Sequence, residues 1–206
     1  SLKPQYNDGN LLEYRYDAES SFYGGNEYLF FDTKNIQITS ANVSMVKLNR
    51  LYESYLTTNY LRRGYPYSFT QDLNGDFIIR TLQGSENGNI EADYSWVYFS
   101  LSTPVEFKDQ EVYIYGKFNN YELNETNKMY YNPALEIYEG VMLLKQGVYN
   151  YKFIAKTTKS NLYNEISGSH ALTENRYLIF VYYRYFGNLY DSLIAVGKTS
   201  SFEIFD

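Results

Sequence analysis

The chain has one histidine, His170, in the loop-like stretch "SGSHALTEN". A Ser-His-Asp site would need that ring as its base, and no Gly-x-Ser-x-Gly elbow accompanies it. With one histidine and no cysteine, two-histidine and thiolate metal motifs are excluded, and so are structural disulfides. His170 therefore reads as a structural loop residue. Paired carboxylates are the other route to hydrolysis, because a glycosidase needs only two Asp or Glu brought together by the fold. Glu91 with Asp93, and Glu136 with Glu139, meet that requirement by arithmetic alone, as pairs in any acidic chain do. The segment "DLNGD" (72–76) opens like a calcium loop, yet an EF-hand wants glycine at its sixth position and glutamate at its twelfth. Gly75 is the fourth residue here, and Asn74-Gly75 between apolar flanks predicts a tight hairpin turn. Glycine-rich phosphate loops are absent. The residues point to a non-enzymatic protein with no cofactor and no metal.

What remains is aromatic surface. The 206 residues include 26 Tyr and 13 Phe, types that suit the pleated, half-buried face of a strand. About half the side chains of a strand ladder face outward, so some of these rings must meet solvent or a partner. Tyrosine serves well as an anchor because it brings a large area at low entropic cost. The net charge of −6 argues against nucleic acid, which needs Lys and Arg gathered on one face. Arg62-Arg63 reads as a solvated loop pair. No apolar run approaches the ~18 residues of a membrane span. The opening "SLKPQYNDGN" lacks a basic region followed by an apolar core, so no signal peptide is read there.

The elements that would carry these residues are short alternating runs. "EYLFFD" (27–32), "GDFIIRTL" (75–82), "DYSWVYFSL" (93–101) and "EVYIYGKF" (111–118) are followed by "IYEGVMLL" (137–144), "VYNYKFIA" (148–155), "YLIFVYYR" (177–184) and "DSLIAVGK" (191–198). Turn chemistry separates them at Gly24-Gly25, Asn74-Gly75, Asn87-Gly88, Gln146-Gly147 and Gly187-Asn188. That pattern predicts an all-β sandwich or barrel. In "MVKLNRLYESYLTTNYL" (45–61), Leu48, Leu51, Tyr52, Tyr55 and Leu56 fall at helical spacing. Abundant Tyr and Thr and the missing N-cap favour a strand pair there. Pro104 in "STPVEFKDQ" (102–110) cannot donate to a ladder, which suits an exposed connection. The expected organisation is two tandem β-sandwich units, 1–103 and 104–206.

The segment "EVYIYGKFNNYELNETNKMYYNPALEIYEGVMLLKQGVYNYKFIA" (111–155) resembles the early-set, glycogen-binding-like immunoglobulin modules. Their pattern is a strand, a G-x-F-N-x-W turn, a strand, then a G-x-Y-x-Y-K-F strand. The resemblance implies an immunoglobulin-like sandwich. In members that bind glucans it also implies two tryptophans, a lysine and an asparagine as carbohydrate ligands. Carried over, the first tryptophan falls on Tyr121 in "FNNY", the lysine on Lys152 in "YNYKF", and the asparagine on Asn175 in "TENRY". No tryptophan follows Lys152, where Tyr163 is the nearest aromatic.

A wider resemblance runs through "GGNEYLFFDTKN", "GYPYSFTQDLNGDFIIRTLQG", "IEADYSWVYFSL" and "NRYLIFVYYRYFGNLYDSLIAV". These stretches, in this order, are similar to a family from Bacteroidetes-type bacteria associated with the plug of the type IX secretion system. Members are longer at the N-terminus, so the chain looks like a C-terminal portion. The resemblance implies an exported, periplasmic, non-enzymatic protein that binds an outer-membrane translocon and closes its inner mouth. It assigns no residue to that contact.

Overall fold

In the computed structural model the described residues are 2–9, 11–82, 87–157, 161–162 and 164–201. Strands account for nearly all the regular structure. β1 (Tyr6–Asn7) and β2 (Leu12–Glu13) form a small hairpin of their own. β3 (Leu29–Asp32), β4 (Val43–Leu48), β5 (Tyr52–Leu56), β6 (Asn59–Tyr60), β7 (Phe77–Ile79) and β8 (Tyr94–Ser102) precede Pro104. β9 (Glu111–Tyr115), β10 (Lys128–Asn132), β11 (Ile137–Lys145), β12 (Gly147–Lys156) and β13 (Asn161–Leu162) follow it, and β14 (Arg176–Tyr183) and β15 (Ser192–Ser200) close the chain. The fold is all-β, and each of the eight alternating runs holds a strand. Between 45 and 61 the period of two prevails over the helical spacing: β4 and β5 pair antiparallel from Val43↔Leu56 to Leu48↔Tyr52. There Ser54 and Leu56 point inward while Glu53 and Tyr55 face out.

Two layers make the sandwich. One contains β4, β5, β8, β11 and β10; the other is built around β12 with β3, β7, β9 and β13. β10 joins them, because Tyr130–Asn132 pair with β11 while Lys128 and Met129 pair with β9. β12 is divided along its length. Gly147–Tyr151 pair with β3 and β7, and Lys152–Lys156 pair with β9. With strands paired along both edges of its first half, β12 lies at the centre of its layer, and Tyr149, Asn150, Tyr151, Phe153, Ile154 and Ala155 are all buried. The core between the layers is aromatic. Phe31 stacks on Tyr149 at 5.0 Å and meets Phe99 edge-on at 5.6 Å, and Phe99 meets Tyr151 at 5.2 Å. Each such pair contributes about 0.5–1.5 kcal/mol beyond its area burial.

The sheets do not divide at 103/104. β8 lies on one side of that point and β11 on the other, yet they pair through nine successive positions, from Tyr94↔Lys145 to Ser102↔Ile137. β3 and β7, from the first half, likewise pair with β12. Pro104 does sit in a connection, but the connection is a loop within one sandwich rather than a boundary between two. Alternation reports which face of a strand is buried, not which strand lies beside it. β14 and β15 stand apart from these layers as a separate two-stranded ribbon, as β1 and β2 do.

Candidate functional site

Two surfaces collect residues that can bind something. The first surrounds Tyr28. Its backbone N–H donates to Asp72 Oδ2 at 2.6 Å, which ties the 24–28 segment to the 72–76 turn. The predicted tight turn forms there, with positive φ at Asn74 (54°) and Gly75 (81°) and Asp76 N donating to Leu73 O at 3.1 Å, but it is not a hairpin: no strand directly precedes it, and β7 after it pairs with β12. Glycine is required at 75 because a Cβ there would lie 2.6 Å from the Tyr28 ring. Lys117 extends the contact by pairing with Asp76 at 2.5 Å and donating its backbone N–H to Gly75 O.

The corner "KFNNY" is thus pinned against the turn. Asn119 accepts from Gly116 N and donates to Ile114 O, while Asn120 and Tyr121 both adopt left-handed backbone conformations. Asn127, fully buried, donates to Ile114 O at 2.6 Å and Glu122 O at 2.8 Å and accepts from Asn124 N at 2.9 Å. This bracing holds Tyr121 with its ring 5.1 Å from Tyr115. Burial raises the pKa of the Tyr28 phenol, and the charges that Tyr121, Tyr115 and Asp72 carry when ionised add to the rise.

Lys152, on β12, places Nζ 3.9 Å from the centroid of the Tyr28 ring. Burial, and next the Arg62 cation, lower its ammonium pKa to about 8. Arg62 donates to Glu27 O at 2.5 Å, and Tyr67 donates to the buried Glu27 carboxylate at 2.5 Å. Burial and that bond push the Tyr67 pKa up to about 12. Of the three residues carried over from the glucan-binding pattern, Lys152 lies over the Tyr28 ring, and Tyr121 packs on Tyr115 and acts on the Tyr28 phenol electrostatically. Asn175 does something else: its amide donates to Gly24 O at 2.8 Å and Thr173 O at 3.2 Å, holding two loops together. Tyr163 lies outside the described residues.

The remaining sequence candidates are dispersed. Glu91 and Asp93 line a polar cleft of about 340 Å³ with Lys34, Thr81 and Gln146. Glu136 sits at a turn with φ 54°, and Glu139 accepts from Asn132. His170 donates its backbone N–H to Gly25 O and packs its ring 5.7 Å from Tyr67. Its Nε2 is buried with no hydrogen-bond partner among the described residues. Arg63 pairs with Glu165, so the Arg62-Arg63 pair is divided between a backbone carbonyl and an ion pair.

The second surface is the outer face of β4, β5, β8 and β11, which no sequence motif singled out. Strict alternation on β8 buries Ser95, Val97, Phe99 and Leu101 and turns Tyr94, Trp96, Tyr98 and Ser100 outward. The register aligns them with like partners. Met45, Tyr55, Tyr98 and Val141 form one row across the four strands, and Lys47, Glu53, Trp96 and Leu143 form the next. Tyr55 and Tyr98 stack at 4.4 Å with an 11° tilt. Lys47 lies over Tyr55 at 4.9 Å and Lys145 over Tyr94 at 5.4 Å. Trp96, the single tryptophan, is 38% exposed at the centre. The result is an apolar-aromatic face bordered by lysines and glutamates.

No protein-family model and no curated protein matches the chain. Among solved structures it is similar to a hypothetical protein from Parabacteroides merdae whose crystal structure is known at 2.30 Å resolution. The two are 35% identical with a TM-score of 0.87, over 97% of this chain and 50% of the other. The chain spans about half the length of that protein.

Proposed function

We propose that the chain is a non-enzymatic periplasmic protein of the type IX secretion plug family, which docks on an outer-membrane translocon and closes its pore. The supporting observation is the Trp96 face. It is an aromatic surface on a stiff sheet, ringed by charge, and so has the make-up of a protein-docking patch: aromatic anchors inside, a polar rim outside. A plug has to seat as a rigid body, and a sandwich with β8 paired on both sides is rigid. The organism of the structural relative belongs to the Bacteroidetes, as does the family that the motifs resemble. Within the sandwich, the 111–155 strands are the early-set, immunoglobulin-like portion. Tagged protein should recover a type IX translocon from envelope extracts, identified by mass spectrometry. Trp96→Ala with Leu143→Lys should weaken that recovery about tenfold or more, the loss expected of central anchors. Absence of any translocon subunit from the wild-type eluate overturns the reading.

A second reading, glucan binding, draws on Tyr121 and Lys152, which sit on Tyr115 and Tyr28 and are linked by the 72–76 turn. Sugar rings stack on exposed aromatic faces, and Tyr121 is 37% exposed. If it holds, retardation in a glucan-containing native gel is lost in Tyr121→Ala. Unchanged mobility of the wild type on every glucan dismisses it.

A further inference from the structure

Between Thr58 and Ser68 the chain doubles back on itself. β6 pairs with the end of β8, and then Arg62 N and Arg63 N both donate to Ile166 O, at 2.9 and 3.2 Å. Tyr65 N donates to Arg62 O around Gly64, whose φ of 85° a residue with a Cβ rarely adopts. The two limbs of this bend border an open cavity of about 430 Å³, within the size range of small-molecule sites. Asn59, Tyr60 and Arg62 line it from one limb, and Tyr65, Pro66 and Ser68 from the other.

Arg62 is the charged group of the cavity. Its side chain is half-buried, and of its five N–H donors one is engaged, from Nη2 to Glu27 O at 2.5 Å. No carboxylate pairs with it among the described residues. The two acids that act on it are served by neutral donors: Glu27 accepts from the Tyr67 hydroxyl, and Asp72 from the backbone N–H groups of Tyr28 and Asn74. Their attraction does not make up for burial, which lowers the Arg62 pKa. Arg63 differs, being exposed and paired with Glu165. A guanidinium taken out of water is stabilised by an anion, and its planar fork matches a carboxylate. The groups around it suit hydroxyls. Asn59 Nδ2 donates to Tyr151 Oη at 2.9 Å and Thr57 O at 3.2 Å, which fixes its Oδ1 as an acceptor. Tyr60 and Tyr65 are each 66% exposed, and their hydroxyls and that of Ser68 make no hydrogen bond among the described residues. We infer that this cavity binds a hexuronate unit, an acidic sugar whose carboxylate pairs with Arg62, whose ring lies against Tyr60 and Tyr65, and whose hydroxyls bond Asn59 and Ser68. A neutral sugar leaves the guanidinium unmatched, and an aromatic acid leaves the amide and hydroxyls unmatched. Neither Tyr121 nor Lys152 lines this cavity, so the site is separate from that of the glucan reading.

Isothermal titration with methyl glucuronide tests the assignment, with methyl glucoside and benzoate as the two half-matched ligands and no translocon present. The glucuronide should bind about tenfold or more tightly than either of the others. Arg62→Gln should weaken it by about tenfold or more. Because Arg62 also holds Glu27 O, Tyr65→Ala supplies a second variant: it should weaken binding while leaving the melting temperature unchanged, since that ring is already mostly in water. Tyr121→Ala should leave the affinity as it is. Absence of glucuronide binding overturns the proposal, as does a glucoside or benzoate that binds equally well. Glucuronide affinity undiminished in both Arg62→Gln and Tyr65→Ala overturns it too, and so does its loss in Tyr121→Ala, which places the sugar at the other site.

Discussion

Lys152 is the residue at which sequence and structure bear on each other most directly. The "YNYKF" pattern picked it out as a ligand for sugar; the structure places its cation over the Tyr28 ring beneath the Arg62 network. Its lowered pKa has a consequence for stability with a definite sign. Below pH 8 the lysine is charged in both states, and the folded protein bears the full cost of holding that charge away from water. Between about pH 8 and its ordinary value near 10.5, the unfolded chain keeps a proton that the folded chain has lost, so stability rises with pH across that window. Lys152→Met keeps the apolar stem and removes the charge. Each pH unit by which folding lowers the ammonium pKa costs about 1.4 kcal/mol, and the cation–π attraction offsets about 1–2 kcal/mol of the total. The variant should therefore be more stable at pH 7 by roughly 1.5–2.5 kcal/mol. The gain should shrink as the pH approaches 10. Urea denaturation at both pH values measures it, and a difference that does not change with pH means the ammonium is not desolvated.

At the scale of elements, the sequence located strands well and their partners badly. The runs at 93–101 and 148–155 announce β8 and β12, but both parities of 93–101 offer apolar or aromatic residues. Nothing in the letters says that Val97, Phe99 and Leu101 go in while Trp96 and Tyr98 come out. The buried parity even includes Ser95, whose hydroxyl has no hydrogen-bond partner among the described residues. Neighbouring strands decided the matter, since the Phe31–Tyr149–Tyr151 cluster packs on Phe99. β10 escaped notice because "NKMYYN" is bounded by asparagines and buries chiefly Met129. The boundary placed at Pro104 failed for a related reason: a strand that ends at a proline can still find its partner forty residues later. The site was legible only where local chemistry dictated it. Asn74-Gly75 had to be a turn, and the "FNNY" corner had to bend. That both of them close on Tyr28 is a long-range fact that no local pattern contains.

At the scale of the whole molecule, tyrosine is both the core and its weak point at high pH. Tyr149 and Tyr151 are each 1% exposed, and burial raises the pKa of both well above the usual phenol value. Tyr28, largely buried, is raised for the same first reason. A raised folded-state pKa means that the contribution is whole below pH 10 and is lost as pH climbs, because the unfolded chain ionises phenols that the folded core keeps neutral. Each such tyrosine removes about 1.4 kcal/mol per pH unit above 10, so three together remove about 4 kcal/mol per pH unit. Against a total stability of about 5–15 kcal/mol, that is enough to unfold the sandwich within two or three pH units. Stability should therefore peak between pH 8 and 10, where the Lys152 cost is already falling and the phenols are still neutral. It should collapse near pH 12 in one cooperative step. The part of the phenolate absorbance at 295 nm that belongs to Tyr28, Tyr149 and Tyr151, identified by their Phe variants, should appear at the pH where the far-ultraviolet circular dichroism is lost. If Tyr149 and Tyr151 ionise while the sheet signal persists, then the Phe31–Tyr149–Tyr151 cluster is wet, and the two layers do not close on each other as described.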